Sequence, residues 1–99
     1  MASDVSSSAV IREVNLVGGK LLQVYFTEAS GVDDTDYFSI DMASYGGRLL
    51  KGVLGFIHTT EHSIVAAEQP TTAVSTTTVT VTIGGSTDNK ARYYEIMFW

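Results

Sequence analysis

The run of residues whose types and spacing come closest to a catalytic pattern is His58-Thr59-Thr60-Glu61-His62. Its H-x-x-E-H order is the inverted form of a zinc-protease motif, in which two histidines hold the metal and the glutamate activates water. That chemistry needs a helix, because a helical turn brings two histidines at this spacing to one side of a single zinc ion. Here the run follows Gly55-Phe56-Ile57, precedes Ser63-Ile64-Val65 and contains two β-branched threonines. Those neighbours favour extended chain on both sides, so the run is expected to be a polar turn joining two strands.

Other chemistry-bearing residues give less. Asp33, Asp34, Asp36 and Asp41 supply carboxylates at a spacing that suits calcium. The segment lacks the central glycine and terminal glutamate of an EF-hand loop, which leaves a solvated acidic loop as the simpler expectation. Cysteine is absent, which removes thiol nucleophiles, disulfide frameworks and the usual structural zinc sites. No serine sits in a Gly-x-Ser-x-Gly elbow, and no glycine-rich phosphate loop is present. Glu13, Glu28, Glu61, Glu68 and Glu95 give no pairing that marks an acid and a base. The expectation is therefore a non-enzymatic chain with no catalytic residue, no cofactor and no metal. Tyr25, Tyr37, Tyr45, Tyr93 and Trp99 remain as aromatics suited either to stacking against sugars or to ordinary sheet and interface packing.

The elements that position these residues read as strands. Short runs rich in β-branched and aromatic residues alternate with Gly, Asp and Ser breaks. Strands are expected over residues 9–17, 21–29, 37–42, 53–60, 63–68, 72–83 and 92–98, with turns at Gly18-Gly19, Gly31 to Asp34, Gly46-Gly47, Glu61 and 84–89. About seven antiparallel strands in one domain, residues 9–99, predict an all-β fold, a β-sandwich or a small barrel. Residues 1–8, polar and small, read as a flexible N-terminal arm.

Alternation assigns the inward faces. Thr77, Val79, Val81 and Ile83 point one way while Thr76, Thr78, Thr80 and Thr82 point the other. Leu22, Val24 and Phe26 form a second inward set, and Phe38, Ile40 and Met42 a third. A single helical turn is admissible around Ala43-Ser44-Tyr45. The last strand differs, because Arg92, Tyr94, Ile96 and Phe98 share one face and Tyr93, Glu95, Met97 and Trp99 the other, both largely apolar. Such a strand is either central in a covered sheet or covered by another molecule. Tyr93, Tyr94, Met97, Phe98 and Trp99 are accordingly the candidate interface residues.

Charge narrows the partners. The chain of 99 residues carries a net charge of −5, and its six Lys and Arg are scattered. This argues against nucleic acid, whose binders need a basic face. No apolar run approaches the ~20 residues that span a bilayer, and no signal segment is expected at the N-terminus. A protein soluble before assembly, with no membrane partner, is the expectation.

Three stretches, Asp36-Tyr-Phe-Ser-Ile-Asp41, Gly52-Val-Leu-Gly-Phe-Ile-His-Thr-Thr-Glu61 and Ile83-Gly-Gly-Ser-Thr-Asp-Asn-Lys90 leading into Tyr93-Tyr94, together resemble small virion structural proteins of tailed bacteriophages. The likeness is to proteins that decorate or cement a capsid shell and covers about half the chain. It implies a β-rich capsid decoration protein on the virion surface, soluble in the host cytoplasm beforehand, that binds the major capsid protein, often as a homo-oligomer, a trimer above all. A head–tail connector or tail component is the nearest variant of that role. A carbohydrate- or receptor-binding β-module is the alternative from another class.

Overall fold

The structure, a computed structural model, describes residues 2–85 and 88–99. Among these, eight strands form in chain order: β1 Val10–Leu16, β2 Gly19–Phe26, β3 Tyr37–Asp41, β4 Leu50–Thr60, β5 Ile64–Ala67, β6 Thr71–Ser75, β7 Thr78–Thr82 and β8 Ala91–Phe98. They pair antiparallel into a five-stranded sheet of order β1-β2-β8-β4-β5 and a three-stranded sheet of order β3-β7-β6. The two sheets pack face to face as a sandwich, which resolves the choice between sandwich and barrel.

The alternation in the sequence decides what lies between the sheets. Leu22, Val24 and Phe26 of β2, Phe38 and Ile40 of β3, Val79 and Val81 of β7, and Tyr94, Ile96 and Phe98 of β8 are buried in one cluster. Phe38 lies 5.2 Å from Phe26 and 5.4 Å from Tyr94 between ring centroids, tilted as aromatic quadrupoles prefer. Gly55 makes this packing possible: a Cβ there would sit 2.4 Å from the Glu68 carbonyl oxygen and 2.9 Å from the Tyr94 ring. Any side chain at Gly55 would push the β4 backbone off its neighbours.

Three expectations are corrected. The strand expected over 72–83 is a hairpin, β6 and β7, joined through Thr76 and Thr77. Thr76 takes a left-handed φ of 57°, a conformation that β-branched residues seldom adopt. With the reversal set in the run Ser75-Thr76-Thr77-Thr78, no Gly, Asn, Asp or Pro marks it. The expected flexible arm is, over its described part, laid along β3. Val5 N–H donates to the Tyr37 carbonyl (2.8 Å), Tyr37 N–H to the Ser3 carbonyl (3.0 Å), and Ser39 N–H to Ser6 Oγ (3.0 Å). Hydrogen bonds along β3 hold it together with a single apolar contact, Val5 against the core, too little to print a hydrophobic pattern. Finally, β8 is the centre of the larger sheet, and its inward residues Tyr94 and Phe98 have no solvent exposure. These two candidate interface residues belong to the core, whereas Tyr93, Met97 and Trp99 stay at the surface.

The admissible helical turn forms as a 3-10 turn, Met42–Tyr45, capped by Asp41, whose carboxylate accepts from Ala43 N–H (3.1 Å). The expected 84–89 turn lies partly outside the described residues, since it includes Ser86 and Thr87.

Candidate functional site

The His58 to His62 run closes the β4–β5 hairpin, with a bulge between His58 and Thr60 and His62 at a left-handed φ of 61°. No helix forms there, and the two imidazoles lie edge to face with ring centroids 5.9 Å apart. The His62 backbone N–H donates to His58 Nδ1 (3.1 Å), which fixes the neutral His58 ring with its proton on Nε2. Tyr25 O–H donates to Glu61 Oε2 (3.1 Å) and lies 3.2 Å from His62 Nε2. Because the phenol proton goes to Glu61, the His62 nitrogen must donate to the phenol oxygen. Glu28 N–H completes the chain by donating to the same Glu61 oxygen (2.7 Å).

This network sets the local ionisation. The Glu28 backbone bond, ahead of the other contributions, holds the Glu61 carboxyl below its usual range. Loss of hydration, reinforced by Glu61, pushes the Tyr25 phenol up to about 12. A His–Tyr–Glu relay at a sheet surface can orient donors toward a ligand. It contains no nucleophile activated by a base, which needs a group driven toward its reactive ionisation state.

The relay borders a shallow concavity of about 450 Å³ on the outer face of the five-stranded sheet. Strand register sets Val10, Tyr25, Tyr93 and Phe56 opposite one another across β1, β2, β8 and β4, and the first three line the concavity. Tyr93 stacks on Phe56 at 6.3 Å between ring centroids, and its O–H donates to Glu95 Oε2 (2.9 Å). The next register row supplies Arg12 and Gln23. His58 and His62 form the rim.

Of the five candidate stacking aromatics, the fold therefore brings together two, Tyr25 and Tyr93. Tyr37 sits in β3 of the other sheet. Tyr45 and Trp99 line a separate hollow of about 270 Å³ at the far end, where the Lys51 ammonium lies 4.5 Å from the centre of a Trp99 ring. Sequence reasoning left Arg12 and Gln23 out of the site. Alternation places each on an outer face, but strand order alone makes them neighbours of Tyr25 and Tyr93.

The acidic segment is built into the loops. Asp36, buried, accepts from Ser3 N–H (3.0 Å) with one oxygen and from Asp33 N–H (3.0 Å) with the other. Asp33 accepts from Asn89 N–H (3.1 Å) and Asp41 from Thr77 Oγ1–H (2.8 Å). Among the described residues, no three His, Asp or Glu side chains are grouped to hold a metal ion. No described helix is long and apolar enough to cross a membrane.

A second surface stands out by its lack of protection. Every residue of β5 and β6 is exposed, with Ile64 at 58 %, Val65 at 52 % and Val74 at 50 %. These are the edge strands of the two sheets, joined by Glu68, Gln69 and Pro70, and neither carries a charged residue. The other two edges are guarded: β1 carries Arg12 and Glu13, and β3 is covered by residues 3–6. Edges left bare and uncharged are templates for further pairing.

The chain matches no family model, no curated protein and no solved structure.

Proposed function

We propose that this chain is a non-enzymatic structural protein of a virus particle, a decoration or cement protein that oligomerises and binds coat protein through its β5–β6 side. The observation that carries the proposal is the pair of bare, uncharged edge strands on a sandwich whose other edges are guarded. A strand added to β5 or β6 gains main-chain hydrogen bonds and covers Ile64, Val65 and Val74. The resemblance of three stretches to phage virion proteins supports a virus particle as its setting. The net charge of −5 keeps the remaining surface soluble and disfavours nucleic acid. Tyr93, Met97 and Trp99 offer a further contact face.

Removing residues 97–99 would delete a core side chain, Phe98, and so cannot test docking. The discriminating variant is Ile64→Lys combined with Val74→Lys, both at exposed positions. Absolute mass from size-exclusion chromatography with light scattering should give an oligomer, a trimer as the resemblance implies. The charged variant should be a monomer with an unchanged circular dichroism spectrum. A wild-type monomer at every concentration, or an oligomer indifferent to the two lysines, refutes docking through this side.

A further inference from the structure

The concavity on the outer face of the five-stranded sheet combines three properties that separately mean little. Its floor is a row of apolar and aromatic side chains with Tyr25 and Tyr93 at the centre. Each ring is stacked on one side by a neighbour, His62 at 5.3 Å and Phe56 at 6.3 Å between centroids, which leaves one face of each for a ligand. Its lining holds one arginine and two histidines and no carboxylate, in a chain where acids outnumber Lys and Arg by 11 to six. Its polar groups include donors: the guanidinium of Arg12, the Nε2–H of the buried His58, and the amide of Gln23, which also bonds the Tyr93 hydroxyl and carries an acceptor oxygen besides. The two nearest carboxylates, Glu61 and Glu95, already accept from the hydroxyls of Tyr25 and Tyr93. Arg12 has no ion-pair partner among the described residues.

A ligand complementary to this site needs a flat, partly apolar face to lie on the tyrosines. It needs hydroxyls to accept from Gln23 and His58, and an anionic group to meet Arg12. A neutral sugar satisfies the first two demands and leaves Arg12 unmatched. A simple anion satisfies only the last, and a planar apolar molecule only the first. A pyranose bearing a carboxylate satisfies all three. Its axial C–H face stacks on phenol rings, its hydroxyls accept hydrogen bonds, and its carboxylate matches the planar fork of a guanidinium. The volume, about 450 Å³, lies within the range of small-ligand sites, roughly 300–1,000 Å³.

We infer that the Tyr25–Tyr93 concavity binds a uronic-acid residue of an acidic glycan, with the sugar face on the two tyrosines and the carboxylate on Arg12. This goes beyond the assembly role and does not depend on it, since the concavity and the β5–β6 edges are different surfaces. A decoration protein with such a site would hold its particle to an acidic polysaccharide.

The test is a titration of the whole 15N-labelled chain with methyl β-glucuronide, methyl β-glucoside and sodium acetate, followed by amide shifts. The glucuronide should give saturable shifts at Arg12, Gln23, Tyr25 and Tyr93 with a Kd on the order of 1 mM, as a ligand of so few atoms allows. The glucoside should bind at least about tenfold more weakly. Acetate should neither reproduce the tyrosine shifts nor displace the glucuronide. Arg12→Gln, at an exposed position, should reduce glucuronide binding to the level of the glucoside while leaving the rest of the spectrum unchanged. Equal binding of the two glycosides overturns the proposal, as does displacement by acetate, indifference to Arg12→Gln, or no saturable shift with the glucuronide.

Discussion

Replacing Glu68 by alanine removes the carboxylate partner of a guanidinium that has no contact with solvent. Arg92 lies on the inner face of β8, fully buried, and donates through Nε to Glu68 Oε1 at 2.7 Å and through Nη1 to the Val32 carbonyl at 3.0 Å. Glu68 comes from the segment between β5 and β6, and its side chain is 12 % exposed. Breaking a buried pair by deleting one partner costs about 3–5 kcal/mol, because the charge left behind keeps its desolvation penalty and loses the carboxylate that offset part of it. The slight exposure of Glu68 lets water reach the vacated site, which points to the lower end, ~3 kcal/mol. For a domain whose whole stability is roughly 5–15 kcal/mol, that is a large fraction.

The assay is urea unfolding of the wild type and Glu68→Ala, followed by circular dichroism. With a slope of about 1–3 kcal/mol/M for a small domain, the midpoint should fall by roughly 1–3 M at unchanged slope. In thermal unfolding the midpoint should fall by about 12–24 °C. A second variant isolates the cause: Glu68→Leu with Arg92→Met removes both charges and should recover most of the loss, since an apolar pair of similar volume needs no compensation. A loss below ~1 kcal/mol in the single variant would refute the reasoning. A double variant as unstable as the single one would show that packing, not the lost ion pair, is responsible.

Tyr94 has a buried hydroxyl with no hydrogen-bond partner among the described residues. Tyr94→Phe removes an unmet demand and should leave stability unchanged or raise it by ~1 kcal/mol, read as the urea midpoint; a clear loss would reveal a partner. Tyr25 and Tyr93 are both raised from 10 to about 12, mainly by lost hydration and then by the bonds to Glu61 and Glu95. Folding favours their neutral forms, so the associated stability is complete below pH 10 and is lost as pH rises to 12. Near-ultraviolet absorbance of the folded chain should show these phenols ionising late. Ionisation of all five tyrosines together near pH 10 would contradict the lost hydration and the carboxylate bonds of these two.

The inner faces of β2, β3 and β7 were legible because one face of each strand is covered and the other wet, which prints the period of two in Leu22, Val24, Phe26, Phe38, Ile40, Val79 and Val81. The same rule placed Arg92 with Tyr94, Ile96 and Phe98 without telling that its charge is buried and paired. Its anion lies 24 residues away, and only the fold makes them neighbours. The reversal at Thr76 is a backbone event with no side-chain signature. The pairing of residues 3–6 with β3 rests mostly on backbone bonds, with Ser6 and Asp36 adding contacts that no periodicity reports. For the concavity, the tyrosines were visible as aromatics on a wet face. Which two would meet, and that Arg12 would join them, follows from β2 lying between β1 and β8.

The position of β8 has a kinetic side. It is the last strand in the sequence, yet it lies between β2 and β4, so the β1–β2 and β4–β5 hairpins share no sheet until residues 91–98 arrive. Before that, each hairpin has an additional raw edge, and the apolar faces of Leu22, Val24 and Phe26 have no strand beside them on the β8 side. Ribbons of two strands are marginal in water, and contacts this distant in sequence close slowly. A chain emerging from the ribosome would therefore pass through a late, adhesive interval, during which two half-built sheets on neighbouring chains can exchange partners as readily as they find their own.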